Sequence, residues 1–89
     1  MSIYNLCDAC MHNDTNRALF ILKYLKPNIK EELCKWQPII WATYRNNIEI
    51  VKEIIQYSKK HNIIIEIKEV VEIAKERQFT EIIGLMEAF

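Results

Sequence analysis

Three alanines, Ala9, Ala42 and Ala74, lie 33 and 32 residues apart, and the sequence around each carries the same punctuation. A polar residue that interrupts helical patterning follows each alanine at one offset: Asn13, Asn46 and Gln78. A second helix-forming segment then opens at Thr15, Ile48 and Thr80. Internal periods of roughly 20–50 residues mark arrays of stacked supersecondary units, because one such unit cannot bury its own apolar face.

The middle unit, Trp36 to Tyr57, states the pattern most fully. Pro38 suits a first helical turn, where its missing N–H has no partner in any case. Ile39, Ala42 and Thr43 follow at helical spacing, and Asn46-Asn47 breaks it. Asn is the non-glycine residue that best tolerates left-handed backbone, so Asn46 can end one helix and turn the chain. Ile48, Val51, Ile54 and Ile55 then form one apolar face of a second helix.

The flanking units read similarly. Ser2 is a candidate N-cap for a helix over about Ile3 to Met11, with Leu6, Ala9 and Cys10 inward. Asp14 or Thr15 can cap a helix to about Leu25, with Ala18, Ile21, Leu22 and Leu25 as its stripe, and Pro27 stops it. Residues 28–35 form a mostly polar connector, and Ser58 to Asn62 form another. The β-branched run Ile63 to Ile67 suits a short extended piece. A helix over about Lys68 to Glu76 follows, with Val71, Ala74 and Val70 inward. A last helix covers Thr80 to Glu87 with Ile82, Ile83, Leu85 and Met86 apolar.

Composition removes several alternatives. With 89 residues the chain suits one domain, and 51% apolar residues argue against a disordered tail. Twelve basic and 12 acidic residues give zero formal net charge, which argues against a broad electrostatic grip on nucleic acid or anionic lipid. One Gly and two Pro are few for a loop-rich or all-β domain. No apolar run approaches the roughly 18–20 residues of a membrane span, and no signal-peptide pattern opens the sequence. Three cysteines without a secretory signal point to reduced thiols in a cytoplasmic or nuclear compartment.

On these residues the chain resembles an ankyrin-repeat protein. Gln37-Pro38-Ile39-Ile40-Trp41-Ala42-Thr43, the Asn46-Asn47 turn, and Ile48-Glu49-Ile50-Val51-Lys52-Glu53-Ile54-Ile55 follow the family's T-P-L-H-x-A-A, G-H and L-E-[VI]-V-K-x-L-L pattern. The first unit keeps Leu6, Ala9, Ala18, Ile21 and Leu22; the third keeps Ala74, Glu81, Ile82, Ile83 and Leu85. The resemblance implies an all-α solenoid of three stacked helix-turn-helix repeats, approximately 2–34, 35–67 and 68–89, with short or distorted finger loops. Every turn glycine of the family is replaced, and Gln78 is the weakest substitute, since left-handed backbone costs a typical non-glycine residue ~1–2 kcal/mol. Gln37 stands where the family has a capping Thr, a loss of about 1 kcal/mol. The first and third units lack T-P-L-H, as suits atypical terminal repeats.

The resemblance also implies a function: binding of a partner protein on the concave face, as a small subunit or a masking inhibitor, with no enzymatic activity and no cofactor. Such proteins occur in eukaryotes, intracellular bacteria and large DNA viruses, so host-directed interference is among the implied uses. Carried over unit by unit, the groove positions are Met11 and His12, Tyr44 and Arg45, and Glu76 and Arg77. The finger positions are Ile3, Trp36 and Lys68. Trp36, Tyr44 and Arg45 combine large contact area with a polar handle. The plainer alternative has Trp36 packed under the finger and Tyr44 as an ordinary exposed helix residue. Trp41 falls at a family core position and is expected to pack inside.

Cys7-x-x-Cys10 raises a second reading, a thiol or metal protein. A structural zinc site wants four ligands, and Cys34, His12 and His61 are scattered, so two small apolar core residues are the better expectation. No nucleophile motif or Gly-rich phosphate loop occurs in the sequence. A third reading is self-assembly through the end repeats or through Ile63 to Ile67, because exposed β-branched edges associate.

Overall fold

The computed structural model describes residues 5–24, 33 and 37–88, and among these there is no strand. Six helices are bounded within them: α1 (Leu6–Met11), α2 (Thr15–Tyr24), α3 (Pro38–Tyr44), α4 (Ile48–Lys60), α5 (Ile67–Arg77) and α6 (Thr80–Ala88). Each consecutive pair packs as a hairpin. The first helices also pack on one another in order, α1 on α3 and α3 on α5, and the second helices do the same, α2 on α4 and α4 on α6. The result is two layers of three helices, an inner layer of α1, α3, α5 and an outer layer of α2, α4, α6.

The hairpin turns repeat one hydrogen-bond motif. Asn13, Asn46 and Gln78 all adopt left-handed backbone, with φ of 55°, 52° and 61°. After each, the next backbone N–H reaches back to the carbonyl of the repeated alanine: Asp14 to Ala9 at 2.8 Å, Asn47 to Ala42 at 3.0 Å and Phe79 to Ala74 at 2.8 Å. These are the paired bonds of a left-handed helix stop, which satisfy carbonyls the helix itself leaves open. Asn62, at φ 55°, ends α4 in the same way, with Ile63 N–H donating to the Ser58 carbonyl at 2.8 Å. Sequence patterning ended this helix early: Ser58, Lys59 and Lys60 belong to α4, and only residues 61–66 connect it to α5.

The repeated alanines lie on the inner helices, inside the core. Ala9, Ala42 and Ala74 are all fully buried. Around them the core contains Leu6, Cys10, Ile21 and Leu33 from the first part of the chain, and Ile39, Ile50, Val51, Ile54 and Ile55 from the middle hairpin. Thr43 is buried with them and stays satisfied, its Oγ1 donating to the Ile39 carbonyl at 2.7 Å. Val70, Ala74, Ile82 and Met86 close the core at the third hairpin.

The third hairpin carries charge at positions that the middle hairpin buries. Its Val71 and Ile83, equivalent to Ile39 and Val51, are only half-buried. Lys75 and Glu87 stand where the middle unit has buried Thr43 and Ile55.

Several boundaries differ from the sequence reading. Helix α1 begins at Leu6, because the Asn5 side chain accepts the Asp8 N–H at 2.8 Å and so caps it; Ser2 lies outside the described residues. Asp14 caps α2 through the Arg17 N–H, at 3.3 Å. Helix α5 starts one residue earlier than patterning suggests, at Ile67, and Ile73 joins Val70 in the buried set. The Ile63–Glu66 segment alternates as extended backbone would, with Ile63 and Ile65 buried and Ile64 89% exposed, but it forms no strand. Gln37 takes left-handed backbone and makes no side-chain cap bond. Leu25, Pro27, Cys34 and Trp36 lie outside the described residues. Leu33, from the same connector, is buried.

Candidate functional site

Among the described residues, the inner layer exposes an aromatic cluster. Helix α3 turns Pro38, Ile39, Ala42 and Thr43 into the core. Trp41 lies about 200° around the helix from Ile39, so its indole points away from that core. The ring is 40% exposed. This corrects the expectation that Trp41 packs inside: the inward positions of α3 are already filled by its small and branched neighbours. Tyr44 is one turn further on the same face, 42% exposed, with its ring centroid 6.3 Å from that of Trp41. The Arg77 guanidinium, from the end of α5, lies 5.1 Å above the Tyr44 ring. A cation over an aromatic face contributes about 0.5–1 kcal/mol at an exposed site. The cluster therefore spans two inner helices.

Arg45 ties a third helix to it. Its Nε donates to the Met11 carbonyl at the end of α1, at 2.8 Å. That carbonyl is one of the orphan acceptors at a helix C-terminus, and the cation also suits the negative end of the helix dipole. Met11 itself is 37% exposed. His12 is exposed, with Nδ1 2.9 Å from the Asp8 carbonyl. Direct contacts thus pair Arg45 with Met11 and Arg77 with Tyr44, and Trp41 lies beside Tyr44. Glu76 is exposed on the last turn of α5. Lys68 is exposed at the other end of α5, roughly 13 Å along the helix from Arg77. Trp36 falls outside the described residues.

Sequence reasoning missed Asn47, whose side chain bonds in three directions. Its Oδ1 accepts the Ile50 N–H at 3.1 Å and caps α4. Its Nδ2 donates to Asn13 Oδ1 at 2.7 Å and to Thr15 Oγ1 at 2.8 Å, both in the preceding hairpin. The signal was an Asn at the N-cap position of the second helix, one residue past the turn.

The other candidate features are more ordinary. Cys10 is buried in the core and Cys7 half-buried beside it on α1. Among the described residues no group of three His, Cys, Asp or Glu side chains could hold a metal ion, and no helix is long and apolar enough to cross a membrane. An open cleft on the outer layer, between α2 and α4, is lined by Leu22, Lys23, Glu53, Tyr57, Lys60 and His61. Tyr57 and His61 rings stack there at 4.3 Å. No protein-family model, no curated protein and no solved structure matches this chain.

Proposed function

We propose that this chain is a small ankyrin-type solenoid that acts without catalysis, inside the cell, by stoichiometric binding of a partner protein on its inner helix layer. Two ordered helix layers and a turn motif repeated at the three alanines support the repeat architecture. The observation that carries the binding role is the exposed Trp41–Tyr44 pair with Arg77 above it. Trp, Tyr and Arg dominate the energetics of protein interfaces, because each brings large contact area and a polar group, and Trp and Tyr lose few rotamers. Trp41 is not among the buried residues of α3. Large exposed aromatics of this kind, clustered rather than scattered, mark interaction surfaces.

The test is partner capture from cells of the source organism, using the wild-type chain and the Trp41→Ala/Tyr44→Ala double variant. Circular dichroism checks that both are folded. The expected result is a partner held by the wild type and lost, by at least about thirtyfold in affinity, by the variant. Equal capture by both would remove the inner face from the account.

A further inference from the structure

We propose that the segment received by the Trp41–Tyr44–Arg77 face is an acidic peptide carrying a bulky apolar residue. This rests on the binding role argued above and adds the chemistry of the partner. His12, Arg45 and Arg77 occupy equivalent positions on successive inner helices, three residues after each repeated alanine, and all are exposed. Near the first of them the acids are already matched. Asp8 and Asp14 both meet Arg17, at 2.9 and 3.3 Å, and the Asp8 carboxylate also lies 3.3 Å from His12 Nδ1.

Arg45 and Arg77 differ. Among the described residues neither has a carboxylate within ion-pair distance. Their guanidinium groups are nevertheless held in place, Arg45 by the Met11 carbonyl and Arg77 over the Tyr44 ring. A guanidinium has five N–H donors, so most remain free to bind after one is used. A positioned fork loses little entropy on accepting a carboxylate, and the resulting charge-assisted bonds are among the strong ones. Beside Arg77 stand Tyr44 and Trp41, 42% and 40% exposed, which suit an aliphatic or aromatic side chain. Glu76 is the local opposing charge, exposed beside Arg77. A single-stranded nucleic acid also combines negative charge with stacking bases. It fits less well, because zero net charge over the chain gives no broad positive track for a phosphate backbone.

Fluorescence anisotropy with labelled peptides of equal length decides it. Each peptide carries a central Leu-Trp pair flanked by glutamates, serines or lysines, and an oligothymidylate forms a fourth arm. The Glu-flanked peptide should bind at least about tenfold more tightly than the Ser-flanked one, and its affinity should fall as salt is raised. Arg77→Gln should cost about tenfold, with Arg77→Lys recovering part of the loss. Glu76→Gln should tighten binding. Arg45→Gln should weaken it too, but Arg77→Gln is the deciding variant because Arg45 also bonds α1. Ser- or Lys-flanked peptides that bind as well, and are lost with Tyr44→Ala, would overturn the acidic partner while leaving the binding face standing. Tighter binding of oligothymidylate, or no binding in any peptide arm, would also overturn it. Partner capture with the Trp41 and Tyr44 variant judges the face itself.

Discussion

Asn47 joins two hairpins with one side chain. It caps α4 and donates twice to the turn of the first hairpin. Asn47→Ala should therefore cost about 1–3 kcal/mol in denaturant unfolding, more than a cap alone. Asn47→Ser keeps an acceptor for the Ile50 N–H but is too short to reach the neighbouring hairpin, and should lose less. A difference between the two variants measures the bridge. Gln78 is the opposite case, a residue set in a conformation it does not favour, at φ 61° and ψ 39°. Gln78→Gly should raise stability by about 1 kcal/mol, seen as a higher melting temperature. Asn46→Gly should gain less, because Asn already tolerates left-handed backbone. No gain at Gln78 would mean that the turn stores no strain. The three turn positions were legible from spacing alone; the function of Asn47 was not, because it depends on which residues of another hairpin lie opposite it.

The helices follow from a division of labour between small and branched residues. Ala42 is fully buried on α3, which packs against both α1 and α5. Ala42→Leu should destabilise by about 1–3 kcal/mol, since neither neighbour can retreat without disturbing its own hairpin. Position in the stack matters as much as residue size. Val51 is fully buried while its equivalent Ile83 is half-buried, so Val51→Ala should cost more than Ile83→Ala although isoleucine is the larger side chain. Periodicity located the helices and most of the core, including Ile39, Ala42, Val51, Ile54 and Ile55. It failed at ends fixed by caps: Asn5 starts α1 and Asn62 stops α4. The inward placement of Trp41 comes from the family resemblance, not from periodicity, and the residue is 40% exposed. Ile39, Ala42 and Thr43 already define the inward side of α3, and residue 41 lies across from it.

At the scale of the molecule, two ordered layers leave the inner helices with one solvent face, and the Trp41, Tyr44 and Arg77 cluster sits on its middle and third members. Arg45, the next residue after Tyr44, bonds the Met11 carbonyl at the end of α1. Legibility ends here for a physical reason. The resemblance implies Tyr44, Arg45, Met11 and Arg77 as groove positions, but the meeting of Arg77 with Tyr44 depends on packing between two residues 33 apart in the sequence. Amide chemical-shift mapping of the isotope-labelled chain against its captured partner follows that face at residue resolution. Shifts should concentrate at Met11, Trp41, Tyr44, Arg45 and Arg77, with the outer helices unmoved. Shifts confined to the exposed sides of α2, α4 and α6 would contradict an inner-face binding site.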